Sequence, residues 1–207
     1  MALPAADWRE RVEFERRLVH AGGTLYPVPY LLGWLSWTET GYLLAAGLLV
    51  VTVLETLRLS GAAGPLDPLY DALVREYEAD GVAGYALYQV SMTGVVLLLE
   101  PTLAIPAMWM LSVGDPVSGI LGDNGATEPK RPGVWVAMFA VCLALALPFT
   151  VPAFGTVAGA LVAGGGALVA TVADGVPPVV RGIAIDDNLT IPPAAAAGML
   201  LALAVVG

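Results

Sequence analysis

The chain has 207 residues, 57% of them hydrophobic and only 13% charged, with a formal net charge of −9. Soluble domains average about 45–50% apolar and about 25% charged residues, whereas this chain has a mean hydropathy of +0.77. So few polar side chains cannot clothe a water-facing globule, which excludes a soluble enzyme and a disordered tail; the acidic balance excludes a nucleic-acid-binding domain, whose phosphate contacts need clustered cations.

The composition reads instead as an all-α, polytopic transmembrane helix bundle, a single integral membrane domain over 1–207. Its acidic, lysine-poor make-up fits a high-salt organism such as a halophilic archaeon, where dense carboxylates keep surfaces soluble. Residues 1–17 are a charged N-terminal segment that includes Asp7, Arg9, Glu10, Arg11, Glu13, Glu15, Arg16 and Arg17. Without an apolar core, that segment is not a signal peptide. A helix needs about 20 mostly apolar residues to cross the hydrocarbon core, and about seven predicted spans follow. They cover 18–37, 41–58, 82–99, 102–122, 134–151, 154–174 and 190–207. The fourth carries Pro106 and Pro116, and the seventh opens with Pro192-Pro193.

With the N-terminus cytoplasmic and the C-terminus outside, Arg9, Arg11, Arg16, Arg17, Arg58, Arg75, Lys130, Arg131 and Arg181 all fall on the inner face, as the positive-inside rule asks. The outer connections are too short to build a site, which predicts a multi-pass cell-membrane protein with a cytoplasmic active face. Between the second and third spans, 59–81 is predicted as a cytoplasmic amphipathic segment. In it Asp67 caps a helix opened by Pro68, and Leu66, Leu69, Tyr70, Leu73 and Tyr77 form the apolar stripe. An ordinary connector helix packed on the bundle fits that pattern equally well. Cys142, the single cysteine, sits in an apolar run and reads as a small buried hydrophobe.

Ionisable groups in or beside membrane spans are costly and mark function by default. Arg16, Arg17 and His20 share one helical face at the start of the first span, suited to a phosphate-bearing ligand. Glu55 and Arg58, three apart at the inner end of the second span, form an internal ion pair or present an arginine to a ligand. Gly114, Asp115, Ser118, Gly119 and Gly122 lie at the inner end of the fourth span, where Pro116 loosens the helix and glycines permit close approach. Asp186, Asp187 and Asn188 precede the last span and offer oxygen ligands to a hard cation; Asp174, ending the sixth span, is on the same face. Asn188 or Thr190 also suits a helix cap.

Other chemistries are missing. There is no P-loop, and Gly164-Gly165-Gly166 lacks the following lysine and reads as close helix packing. No His/Cys set has zinc spacing. Lys130 is the only lysine and lies outside the last span, which excludes a retinal Schiff base.

In their order these elements resemble the CTP-dependent lipid kinases (dolichol kinase, phytol kinase and the CTP-using diacylglycerol kinase), a family related to the CDP-diacylglycerol synthases. The resemblance runs over most of the chain. It comprises Arg16-Arg17-Leu18-Val19-His20, Glu55 to Arg58, Gly114-Asp115 through Gly122, and Asp186-Asp187-Asn188-Leu189-Thr190-Ile191-Pro192 after Ala170 to Asp174. It implies transfer of the γ-phosphoryl group of CTP to the hydroxyl of a membrane isoprenoid alcohol or related lipid, with Mg²⁺ or another divalent cation. On that reading Asp115, Asp187, Lys130 and His20 are catalytic, and Asp115, Asp186 and Asp187 hold the metal. Arg16, Arg17, Glu55, Arg58, Gly114, Ser118, Gly119, Gly122 and Asn188 bind the nucleotide. One departure stands out: where the family has Ser-x-Glu-Gly after the lysine, this chain has Arg131-Pro132-Gly133. A CDP-lipid-forming cytidylyltransferase and a non-catalytic homologue are the alternatives, and a transporter is the reading from another class.

Overall fold

The computed structural model describes residues 20–62, 64–75, 78–122, 128–176, 179–180 and 183–206. Over them the chain is helical apart from one minimal antiparallel ladder, Val179–Val180 against Ile183–Ala184. The helices in chain order are α1 (Val28–Leu31), α2 (Trp37–Leu59), α3 (Asp67–Leu73), α4 (Gly84–Leu98), α5 (Pro101–Trp109), α6 (Asp115–Leu121), α7 (Pro132–Phe154), α8 (Thr156–Gly175) and α9 (Asp187–Val206). Between α5 and α6 the chain makes a π-helical turn, Met110–Gly114, so that 101–121 runs on as one rod. Among the described residues, five helical runs are long and apolar enough to cross a membrane: α2, the α5–α6 rod, α7, α8 and α9. The protein is a multi-pass membrane protein by that measure. Helix α4 has 15 residues, about 22 Å of rise against a hydrocarbon core of about 30 Å.

The first predicted span, 18–37, is not one continuous helix over its described residues. Residues 20–22 are helical, a 3-10 turn covers Gly23–Leu25, and α1 is a single turn followed by bends to Ser36. Gly22, Gly23, Pro27, Pro29 and Gly33 interrupt it, each withholding either helix propensity or an N–H. The segment nevertheless runs the length of α5 in reverse. His20 meets the carbonyl of Leu111 at 3.0 Å, the Trp109 indole donates to the carbonyl of Thr24 at 3.1 Å, and the Trp37 indole donates to that of Leu99 at 2.9 Å.

Helix α2 starts at a capping box: the Glu39 amide donates to Ser36 Oγ, and the Glu39 carboxylate takes the Ser36 amide at 2.7 Å. Asp67, the predicted cap of α3, is its first helical residue, and no side chain caps that end. The α3 stripe is anchored by Tyr70, which is buried and donates to the carbonyl of Leu54 at 2.7 Å, so this helix is fastened to α2.

The core lies among α4 to α9. Met92, Met108, Met110, Met138 and Met199 fill it with Ile105, Leu111 and Ile191, all fully buried. Cys142 is buried there as well, its Sγ 3.7 Å from Met138 Sδ. Helices α8 and α9 approach through small residues: a Cβ on Gly165 would stand 2.7 Å from the carbonyl oxygen of Gly198, and one on Gly198 would stand 2.4 Å from that of Gly165. In lipid, association relies on such close contact rather than on hydrophobic expulsion from water.

At one end of the bundle the helices are tied together by backbone and side-chain bonds. Lys130 N–H donates to the Gly175 carbonyl at 3.0 Å, and the Ser91 hydroxyl to the Asn188 carbonyl at 2.5 Å. That end of the bundle carries the polar groups described next.

Candidate functional site: three converging carboxylates

Three helix ends deliver one carboxylate each. Asp115 opens α6, Asp174 closes α8, and Asp187 opens α9. One ligand oxygen from each lies within 4.8 Å of the others. At such a separation each carboxylate pair repels by roughly 3 kcal/mol at an effective dielectric of about 20. Oxygen donors of this number and charge are the set a hard divalent cation takes, and a cation among them would offset the repulsion.

Part of that charge is already met by Lys130. Its Nζ donates to Asp174 Oδ1 at 2.7 Å and to Ser118 Oγ at 2.9 Å, while the Ser118 hydroxyl donates to Asp174 Oδ2 at 2.6 Å. The Asp174 side chain is only 1% exposed. Both of its oxygens are therefore held, and its orientation is set from α6 and from the segment before α7.

His20 approaches from the first, broken segment. Its Nε2 lies 3.0 Å from the Leu111 carbonyl and 3.4 Å from Asp115 Oδ2. Its ring packs edge-on to Tyr88 with centroids 4.7 Å apart.

Asp186 and Asn188 border α4, and the Asp186 carboxyl also lies against that of Asp187. A Cβ on Gly84 would stand 3.0 Å from Asn188 Nδ2, 3.3 Å from Glu78 Oε1 and 3.4 Å from Asp186 Oδ2. Asp186 Oδ1 accepts from the Asn188 amide at 2.9 Å. Burial, then the neighbouring Asp187 carboxylate, push the Asp186 carboxyl up to about 6. Asn188 Oδ1 and Thr190 Oγ1 are buried atoms with no hydrogen-bond partner among the described residues. Neither side chain therefore works as a closed helix cap.

The structure brings together five of the residues singled out from sequence: Asp115, Asp187, Lys130, His20 and Ser118. Arg16 and Arg17 lie outside the described residues. Glu55 and Arg58 pair at 2.6 Å and spend their remaining capacity on the segment entering α4. Arg58 donates to the carbonyls of Ala79 at 3.0 Å and Gly81, and Glu55 accepts from Ala83 N–H at 2.8 Å and the Tyr85 hydroxyl at 2.5 Å. Gly114 is a packing glycine, its Cα facing Met138 and Cys142 of α7, and Gly119 is exposed with open space where a side chain would be. Gly122 ends α6 as its C-cap.

The acid that joins Asp115 and Asp187 in the group of three is Asp174, and Asp186 lies beside Asp187. The position of Asp174 at the inner end of the sixth predicted span was the available signal. Glu78, buried and bordering Gly84 as Asp186 does, had no such signal in the sequence.

No protein-family model, curated protein or solved structure matches the chain.

Proposed function

We propose that the protein is a CTP-dependent lipid kinase that phosphorylates the hydroxyl of a membrane isoprenoid alcohol or a related lipid. The observation that carries the reading is the convergence of Asp115, Asp174 and Asp187 at one end of a helix bundle, with the Lys130 ammonium beside them. Phosphoryl transfer asks a protein mainly for positioning and charge neutralisation, which carboxylates around a divalent cation and a few fixed cations provide. The order of the sequence elements, which resembles the CTP-dependent lipid kinases, supports CTP as donor.

The three acids fit Mg²⁺ by donor type, and the bound ion would supply neutralisation of the triphosphate. In the transfer the lipid hydroxyl oxygen bonds to the γ-phosphorus, the bond from γ-phosphorus to the β-phosphate bridging oxygen breaks, and CDP leaves. The hydroxyl proton goes to a carboxylate of the cluster, for which Asp115 is the candidate. His20 Nε2 does not serve, because it donates to a carbonyl. Lys130 steadies Asp174 and adds positive charge where the phosphates arrive. The reading takes the N-terminus as cytoplasmic, with the broken first segment and α4 counted among seven crossings. The acids then face the nucleotide pool and the alcohol reaches them from within the bilayer.

The test is incubation of the protein in lipid with Mg²⁺, γ-labelled CTP and a panel of polyprenols, prenols and diacyl- or dialkylglycerols. Label entering the lipid phase with release of CDP supports the kinase and identifies its acceptor. Pyrophosphate released only with phosphorylated lipids would replace it with the cytidylyltransferase.

A further inference from the structure

Two carbonyls near the acids are left open by prolines. In the π turn Met110–Gly114 amides bond five residues back, so the Leu111 carbonyl faces the position of Pro116, which has no N–H to give. In α9 the Asn188 carbonyl meets the same lack at Pro192, four residues on, and accepts from the Ser91 hydroxyl of α4 instead. The Leu111 carbonyl accepts from His20 Nε2 at 3.0 Å. Because a carbonyl only accepts, Nε2 carries the ring proton.

The imidazole is fixed from two further directions. Tyr88 packs edge-on against it and donates its hydroxyl to the His20 carbonyl at 2.9 Å. Space for that hydroxyl depends on Gly23, where a Cβ would stand 1.7 Å from Tyr88 Oη. The Nε2 atom held in this way also lies 3.4 Å from Asp115 Oδ2.

We propose that His20 is a positioning residue for Asp115: latched to the carbonyl that Pro116 leaves open, its Nε2–H fixes the rotation of the Asp115 carboxylate toward Asp174 and Asp187 and thereby sets the site's affinity for a divalent cation. This rests on the cation-site reading above and concerns binding, so it can be tested without turnover.

His20 is the only histidine in the chain, so a protein with labelled imidazole nitrogens gives a single ring to follow. The full chain in lipid nanodiscs, with Mn²⁺ as the probe, is expected to show the Nε2–H tautomer and broadening of the ring signals as Mn²⁺ binds. His20→Ala should weaken Mn²⁺ binding by about 10- to 100-fold, the range for partners that orient a metal ligand. His20→Gln, whose amide still donates, should recover most of that loss. Pro116→Ala keeps every side chain of the site but offers Leu111 a backbone N–H. It should shift the ring nitrogen signals and weaken Mn²⁺ binding in the same direction, and it remains informative if His20→Ala does not fold. A wild-type Nδ1–H tautomer overturns the latch. Unchanged Mn²⁺ affinity in folded His20→Ala or Pro116→Ala, with binding still abolished by Asp187→Asn, overturns the positioning role and leaves the cation site standing. Absence of Mn²⁺ binding to the wild type overturns both.

Discussion

The Lys130 ammonium reaches Asp174 at 2.7 Å across 44 positions of sequence, with the Ser118 hydroxyl bonded to both. The pair lies at one end of the helix bundle, and the Asp174 side chain is almost wholly enclosed. An ammonium so placed holds the α8 end in register with α6 and keeps one of three mutually repelling carboxylates in position. The cost of burying it is offset only while both partners are present.

Removing Lys130 should therefore unmask the repulsion. Lys130→Met is expected to destabilise the protein by about 3–5 kcal/mol, the range for breaking a buried ion pair from one side. Asp174→Asn placed on top of it should recover a large part of the loss, because no buried charge is then left unpaired. Thermal unfolding in detergent or lipid, on the two single variants and the double, gives the coupling directly. Strict additivity of the two losses would show that the pair is not coupled. Added Mg²⁺ should raise the melting temperature of Lys130→Met more than that of the wild type.

Asp187→Asn should leave the protein inserted and folded while abolishing transfer from CTP. The expected loss exceeds the roughly 10- to 100-fold seen when only an outer partner of a metal ligand is removed. Asp186→Asn should cost less than Asp187→Asn, because Asp187 is one of the three converging acids, whereas Asp186 borders Gly84 and reaches the cluster only through Asp187. Labelled-CTP transfer and Mn²⁺ binding on both variants check the order, and equal losses would contradict it.

That ordering marks what the sequence made legible and what it hid. Apolar runs of about 20 residues foretold most of the long helices, since lipid leaves the backbone few other ways to satisfy itself. The run 18–37 gave no hint of its broken helix, because average hydropathy is blind to Gly22, Gly23, Pro27, Pro29 and Gly33, which interrupt the helix without making the segment polar. Asp186 and Asp187 look like one chelating pair in sequence, yet only Asp187 belongs to the set of three converging acids. Asp187 meets Asp115 and Asp174, while Asp186 lies against Asp187 and borders Gly84 of α4. The ion pair of Glu55 with Arg58 was readable from its spacing. Its use was not, because the carbonyls that Arg58 holds belong to residues about 20 positions away that have no helical register with it.

The Glu55–Arg58 clamp makes its own prediction. Tyr85→Phe deletes only the hydroxyl that donates to Glu55 at 2.5 Å. The expected loss is about 1.5–3 kcal/mol, as for a hydrogen bond to a charged group. The effect should be local: limited proteolysis should open the chain between 59 and 83 before it touches the long helices. Mn²⁺ affinity should stay near that of the wild type, because the clamp orders the entrance to α4 and touches none of the three acids. A drop in Mn²⁺ affinity matching that of Asp187→Asn would place the clamp in the cation site instead.

Packing of α8 on α9 decides whether Asp174 and Asp187 meet at all, and that packing depends on Gly165 and Gly198. A methyl group on Gly198 would stand 2.4 Å from the Gly165 carbonyl oxygen and 2.8 Å from a Val169 methyl. The first contact is backbone, so no rotamer change relieves it, and the helices must separate. Gly198→Ala is expected to cost about 1–3 kcal/mol, the usual penalty for overpacking a close-packed core. Gly164→Ala, one position from Gly165 but with open space where its Cβ would go, should be neutral or slightly stabilising, since alanine is the better helix former. Spreading the helices also moves Asp174 relative to Asp187, so Gly198→Ala should weaken Mn²⁺ binding although it lies far along α9 from either acid. Thermal unfolding and Mn²⁺ titration of the two alanine variants, made side by side, distinguish close approach from mere glycine content. A stability loss at Gly198 without any loss of Mn²⁺ affinity would show that the acids keep their separation through the β ladder and the Lys130 bonds rather than through the helix contact.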